Sequence, residues 1–164
     1  MQNGTVREGV AAGALGASSV AVWFFLLDVV LRHPFRTPIE LGRAFFTLFG
    51  QAATGGNTDM LLLIGYTVFH FAAFIVAGIV VAAVVNWAEK NPSVLAGGLI
   101  LFVVFELAFY AMTSAFRSIP VLGTLAWYNV AMGNLVASIT MGWYMWRAHP
   151  RLGAELRYAL EGRE

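Results

Sequence analysis

The chain has 164 residues, of which 59% are hydrophobic and only 12% charged, whereas a soluble domain carries about 25% charged residues. With a mean hydropathy of +0.73 it cannot present a polar surface to water on all sides, and a bilayer is the solvent that suits it. A net charge of +1 argues against nucleic acid as the main partner, which needs a concentrated basic surface, and the absence of cysteine excludes disulfides, thiolate nucleophiles and cysteine-based metal sites.

Residues 9–31 form the first apolar stretch long enough to cross a hydrocarbon core, which takes about 20 helical residues. It does not read as a cleavable signal: its apolar part is too long, Arg7 is offset by Glu8, and no small-residue cleavage site follows. Gly9, Gly13, Ala17 and Ala21 line one face and Gly16 adds a second small edge, the pattern that lets membrane helices approach closely. Asp28 lies near the end of this span. Arg32, four residues on, offers it an i,i+4 ion pair.

The segment that follows contains "TPIE", a capping box in which Thr37 caps a helix, Pro38 takes its first position and Glu40 reaches back. Ile39, Phe45, Phe46 and Phe49 are apolar, while Glu40, Arg43 and Thr47 are polar. This predicts a helix over 38–51 that is too short to span and either lies in the membrane interface or packs over the mouth of the bundle.

Three further stretches, 60–87, 93–116 and 122–146, are long enough to span. "NPS" at 91–93 and "SIP" at 118–120 mark short turns, so these spans are expected to be antiparallel neighbours. The last span carries a second stripe of small or polar residues, Ala131, Asn134, Ser138 and Gly142. Leu152, Leu156 and Leu160 predict a short C-terminal surface helix. The expected fold is therefore all-α, a single transmembrane domain over 1–164 built as a four-helix bundle. Arg7, Lys90, Arg147, Arg151, Arg157 and Arg163 outnumber Arg32, Arg36, Arg43 and Arg117, which favours both termini in the cytoplasm. Trp143, Tyr144 and Trp146 form a fitting aromatic belt.

Ionisable residues inside spans are candidates for function. Here they are Asp28, His70 and Glu106. A rise of about 1.5 Å per residue places His70 and Glu106 at equal depth, so the two are expected to pair. Tyr66 and Tyr110 lie one turn outward of them, and Asn129 and Asn134 add polar groups on the last span. Such residues serve either as interhelical glue or as a working site. No Ser-His-Asp set, phosphate loop or HExxH motif is present, so no catalytic residue and no metal site are assigned, and no enzyme activity is expected. His33 and His149 each precede a proline at a membrane surface. Only His70 is therefore placed to ligate haem or chlorophyll, with Tyr66 and Phe74 crowding the adjacent turns; no cofactor is otherwise implied.

The segments "D…R.PF.TP.ELG" at 28–42, "YTVFHFAAF" at 66–74 and "NLVASITMGWYMWRAHP" at 134–150 resemble the small four-span proteins of bacterial inner membranes. The resemblance covers about a third of the chain. It implies the layout and the inner-membrane location, and it carries over no functional residue. Three readings follow. The first is a non-enzymatic accessory or scaffolding subunit of a larger respiratory, photosynthetic or transport complex, with the bilayer and other membrane subunits or further copies as partners. The second is an oligomeric proton, ion or small-solute conduit using His70 and Glu106. The third is a haem- or chlorophyll-binding protein with His70 as ligand.

Overall fold

The computed structural model describes residues 2–48, 58–88 and 127–150. These form four helices and no strand: α1 Gln2–Val30, α2 Arg36–Leu48, α3 Thr58–Ala88 and α4 Trp127–Ala148. The expected third span at 93–116 and the C-terminal surface helix lie outside the described residues. Two of the described helices, over Gly4–Val30 and Thr58–Ala88, are long and apolar enough to cross a membrane.

Helix α1 is the hub, packing on α3 along one side and on α4 along another. The contact with α3 uses the small-residue face read from the sequence. A methyl group added to Gly78 would lie 2.6 Å from the Gly13 amide nitrogen and would collide with the Gly9 carbonyl, and one added to Gly13 would lie 2.6 Å from the Ile75 Cα. The two backbones therefore touch without intervening side chains. Gly9 faces Ile79, Gly13 faces Ile75 and Ala17 faces His70, so the helices run antiparallel.

The second small edge of α1 takes α4. Gly16 lies under the Met141 side chain, and Ala12, Ala82, Met141 and Met145 form a common buried cluster. Glu8 beside His149 and Trp23 beside Asn129 make this pair antiparallel as well. The stripe read on span 4 divides: Ala131 and Asn134 are half-buried, and Ser138 and Gly142 are exposed.

Several hydroxyl and amide side chains in these apolar helices are satisfied by their own backbone. Ser19 donates to the Gly16 carbonyl, Thr67 to Leu63, Asn86 to Ala82 and Thr140 to Val136. Local back-bonding of this kind removes the penalty of an open donor.

The junction of α1 and α2 is tightly built. The His33 amide donates to the Asp28 carbonyl at 2.9 Å and the Arg32 amide to Val29 at 3.0 Å, with Arg32 in the left-handed region at φ 61°. This is a Schellman ending, with arginine where glycine usually stands. A second turn follows, in which the Arg36 amide donates to the His33 carbonyl at 3.1 Å. Pro34 takes its second position and Phe35, at φ 65°, its third, the pattern of a type II turn. The Phe35 ring packs on Phe25 with centroids 5.2 Å apart.

Helix α2 then lies on the first turns of α3. Gly42 sits against Leu62, Phe46 covers Gly65, and the Phe45 and Phe69 rings are 4.4 Å apart. An exposed pair, Arg43 and Asp59 at 3.4 Å, marks the outer edge of the contact and adds little stability.

Candidate functional site

The α1–α3 crossing is closed at Gly9, Gly13 and Gly78 and opens beyond Ala17, where the facing residues become bulky. Val20 and Phe24 on α1 and Leu63 and Tyr66 on α3 hold the helices apart, and α2 roofs the gap with Pro38 and Leu41. The result is a largely apolar cavity of about 290 Å³.

His70 lines this cavity at the level where the helices part. Its Nε2 is 3.1 Å from the Ala17 carbonyl, to which it donates as an N–H. The Tyr66 ring stacks on it at 5.8 Å and Phe74 lies at 4.8 Å on the other side. A helical carbonyl has a second lone pair beyond its i+4 bond, so Ala17 accepts from His70 without losing the helix. This contact gives a direct reason for a histidine in an apolar run. Glu106, its expected partner, and Tyr110 lie outside the described residues.

Asp28 is only 3% exposed. Sequence spacing pairs it with Arg32, but the structure does not: Arg32 has left the helix and is exposed. Both Asp28 oxygens instead accept from Thr37, one from its amide at 2.8 Å and the other from its hydroxyl at 2.7 Å. The expected capping box is corrected in the same way. Helix α2 begins at Arg36, so Thr37 lies in its first turn, and the carboxylate that serves the helix start comes from α1. Glu40 does not reach back to Thr37 but pairs with Arg36 at 2.7 Å, and that bond holds the Arg36 guanidinium above its ordinary range.

These residues surround a second cavity of about 330 Å³, lined by Asp28, Arg36, Thr37, Glu40 and Asn129 among others. Phe24 and Thr37 line both cavities, so an apolar chamber and a polar one lie side by side under the α1–α2 junction. Asn129 reaches this site from α4, held by the Trp23 indole N–H donating to its backbone carbonyl at 3.1 Å. Asn134 sits further along α4, half-buried.

At the opposite end of α1, His149 follows the last residue of α4 and is only 6% exposed, with Nε2 3.3 Å from Glu8. Arg147 stacks on the exposed Trp143 ring at 4.3 Å. No group of three or more metal-ligating side chains converges among the described residues.

The described residues thus define an all-α protein with two helices able to cross a membrane and two adjoining cavities at one end. Compared with protein-family models, curated proteins and solved structures, the chain matches none of them.

Proposed function

We propose that the chain is a multi-pass integral membrane protein of the bacterial inner membrane, with four spans and both termini in the cytoplasm, acting as a non-enzymatic accessory or scaffolding subunit of a larger membrane complex. The observation that carries this reading is the placement of α2. It is amphipathic, it is fastened to the end of α1 by Asp28, and its aromatic face is laid on α3. That gives a rigid interfacial shelf with Arg36, Arg43 and Thr47 exposed along it, suited to holding a neighbour at the bilayer surface.

The apolar flanks support the membrane reading. Within the hydrophobic window of α3 only 11% of the residues are buried, and Leu61, Ile64, Val68, Val76 and Val80 are exposed. A helix at the core of a water-soluble protein would be mostly covered.

Purification in a mild detergent tests the subunit reading. It requires the same membrane partners at constant stoichiometry in repeated preparations. A chain that runs alone, or only with its own copies, refutes it. The orientation is tested by single cysteines: Gly55→Cys should react with an impermeant thiol reagent in intact cells and Leu160→Cys should not. The reverse pattern overturns the topology.

A conduit through His70 remains the second reading, because His70 and Tyr66 line a cavity between helices. Vesicles containing the protein should then pass protons or cations, and a His70→Ala, Glu106→Gln double variant should not. Equal flux from the two removes this reading.

A further inference from the structure

We propose that the paired cavities under the α1–α2 junction hold one glycerophospholipid with a zwitterionic, amine-bearing headgroup, one acyl chain entering the apolar chamber and the headgroup resting in the polar one. The proposal rests on the membrane reading and is independent of the identity of any protein partner.

Size and lining come first. The apolar chamber of about 290 Å³ is walled by Val20, Phe25, Leu41, Leu63 and Phe71. A methylene is close in size to a water molecule, whose share of the liquid is about 30 Å³, so on the order of ten methylenes fit. That suits a segment of acyl chain. Inside a bilayer the chain gains nothing from leaving water, since lipid tails are as apolar as the protein. Selection must therefore come from the headgroup.

The polar chamber has the chemistry to select. Two carboxylates, Asp28 and Glu40, and one guanidinium, Arg36, line it, a net charge that favours a cationic group over an anionic one. Each of the three retains bonding capacity. A carboxylate offers about four lone-pair sites, and Asp28 uses two of them on Thr37. Glu40 uses Oε1 on the Arg36 Nε and keeps Oε2. Arg36 keeps its terminal N–H groups, which suit a phosphate oxygen. An ammonium between Asp28 and Glu40, with its phosphate on Arg36, matches the alternation of charge in such a headgroup. Phe24 and Thr37 line both chambers, so the two adjoin, and a lipid reaching both would pass beside these side chains.

Native mass spectrometry of the full chain, released from nanodiscs containing equal amounts of phosphatidylethanolamine and phosphatidylglycerol, tests this. One phosphatidylethanolamine per chain should be retained, preferred over phosphatidylglycerol by roughly tenfold, the ratio expected from a charge-assisted hydrogen bond. Ala21→Phe and Thr67→Phe fill the chamber from opposite walls and should each abolish retention, while Glu40→Gln should erase the preference. Retention of neither lipid, a preference for phosphatidylglycerol, or undiminished retention in whichever filled variant keeps the wild-type melting temperature would each overturn the site. The competition on the unmodified chain decides the question even if both filled variants fail to fold. Recovery of the chain in the aqueous fraction without detergent would refute the membrane reading itself, an outcome distinct from a detergent-extracted protein that retains no lipid.

Discussion

Replacing Asp28 with alanine should release α2 from the end of α1. The carboxylate accepts two hydrogen bonds from Thr37, at 2.8 and 2.7 Å, and Asp28 is almost fully buried. A lost helix cap costs about 1 kcal/mol, and an open donor in a poorly solvated place costs about 1–3 kcal/mol. Water reaches the half-buried Thr37 in part, so a net loss of about 2 kcal/mol is expected. That corresponds to a roughly thirty-fold rise in the opening equilibrium of α2. Asp28→Asn keeps one carbonyl acceptor and should lose about half as much. Thr37→Val removes the hydroxyl alone and should cost about 1 kcal/mol. Hydrogen exchange of the amides across 39–47 in detergent reads the local opening, and thermal unfolding reads the whole. In the double variant the two losses should not add, with a coupling of about 0.5–3 kcal/mol. Unchanged exchange in Asp28→Ala, or strictly additive losses, would show that the clasp does not hold α2.

Gly78→Leu places a side chain against the Gly9 and Gly13 backbone and should destabilise by at least the 1–3 kcal/mol of an overpacked core, seen as a lower melting temperature; Gly142→Ala, with nothing within 4 Å, should be neutral or slightly stabilising. Arg32→Gly relieves a left-handed residue and should raise stability by about 1 kcal/mol, whereas Arg32→Val should lower it, both measured by thermal unfolding in detergent. His70→Leu loses the bond to Ala17 and should cost about 0.6 kcal/mol, the average for a hydrogen bond within a membrane protein. A cycle of His70→Leu with Glu106→Leu should show a further coupling of about 0.5–3 kcal/mol if the other ring nitrogen reaches Glu106; additive effects would leave the Ala17 carbonyl as the whole reason for this histidine.

The long elements were legible because hydropathy is a strong signal over twenty residues. Residues 9–31, 60–87 and 122–146 correspond to Gln2–Val30, Thr58–Ala88 and Trp127–Ala148. Helix α1 runs past its apolar stretch because polar residues such as Thr5, Arg7 and Glu8 continue the helical backbone, which hydropathy ignores. The small-residue face of α1 was legible as a face, while its partner was not, since spacing on one helix does not say which neighbour it meets. Asp28 shows a different limit. The i,i+4 rule assumes that the helix continues through the second residue, and here it ends at Val30. The sequence did contain the warning: the residue before a proline avoids the helical region, so "HP" at 33–34 already marks an ending. The burial of His149 was not legible, because Glu8, which sits beside it, is far away in sequence.

The central position of α1 has a consequence for the order of assembly. Every described element that α1 packs on belongs to a later segment of the chain. At about 5–20 residues per second, several seconds pass before Gly78 exists to meet Gly9 and Gly13. Until then the glycine face is a bare strip of backbone, open to any other small-faced helix. Once α3 arrives the strip is sealed, and only then can His70 find Ala17. Helix α1 is thus the template on which α3 and α4 are registered, and a stop in synthesis before Gly78 would leave a template without its fit.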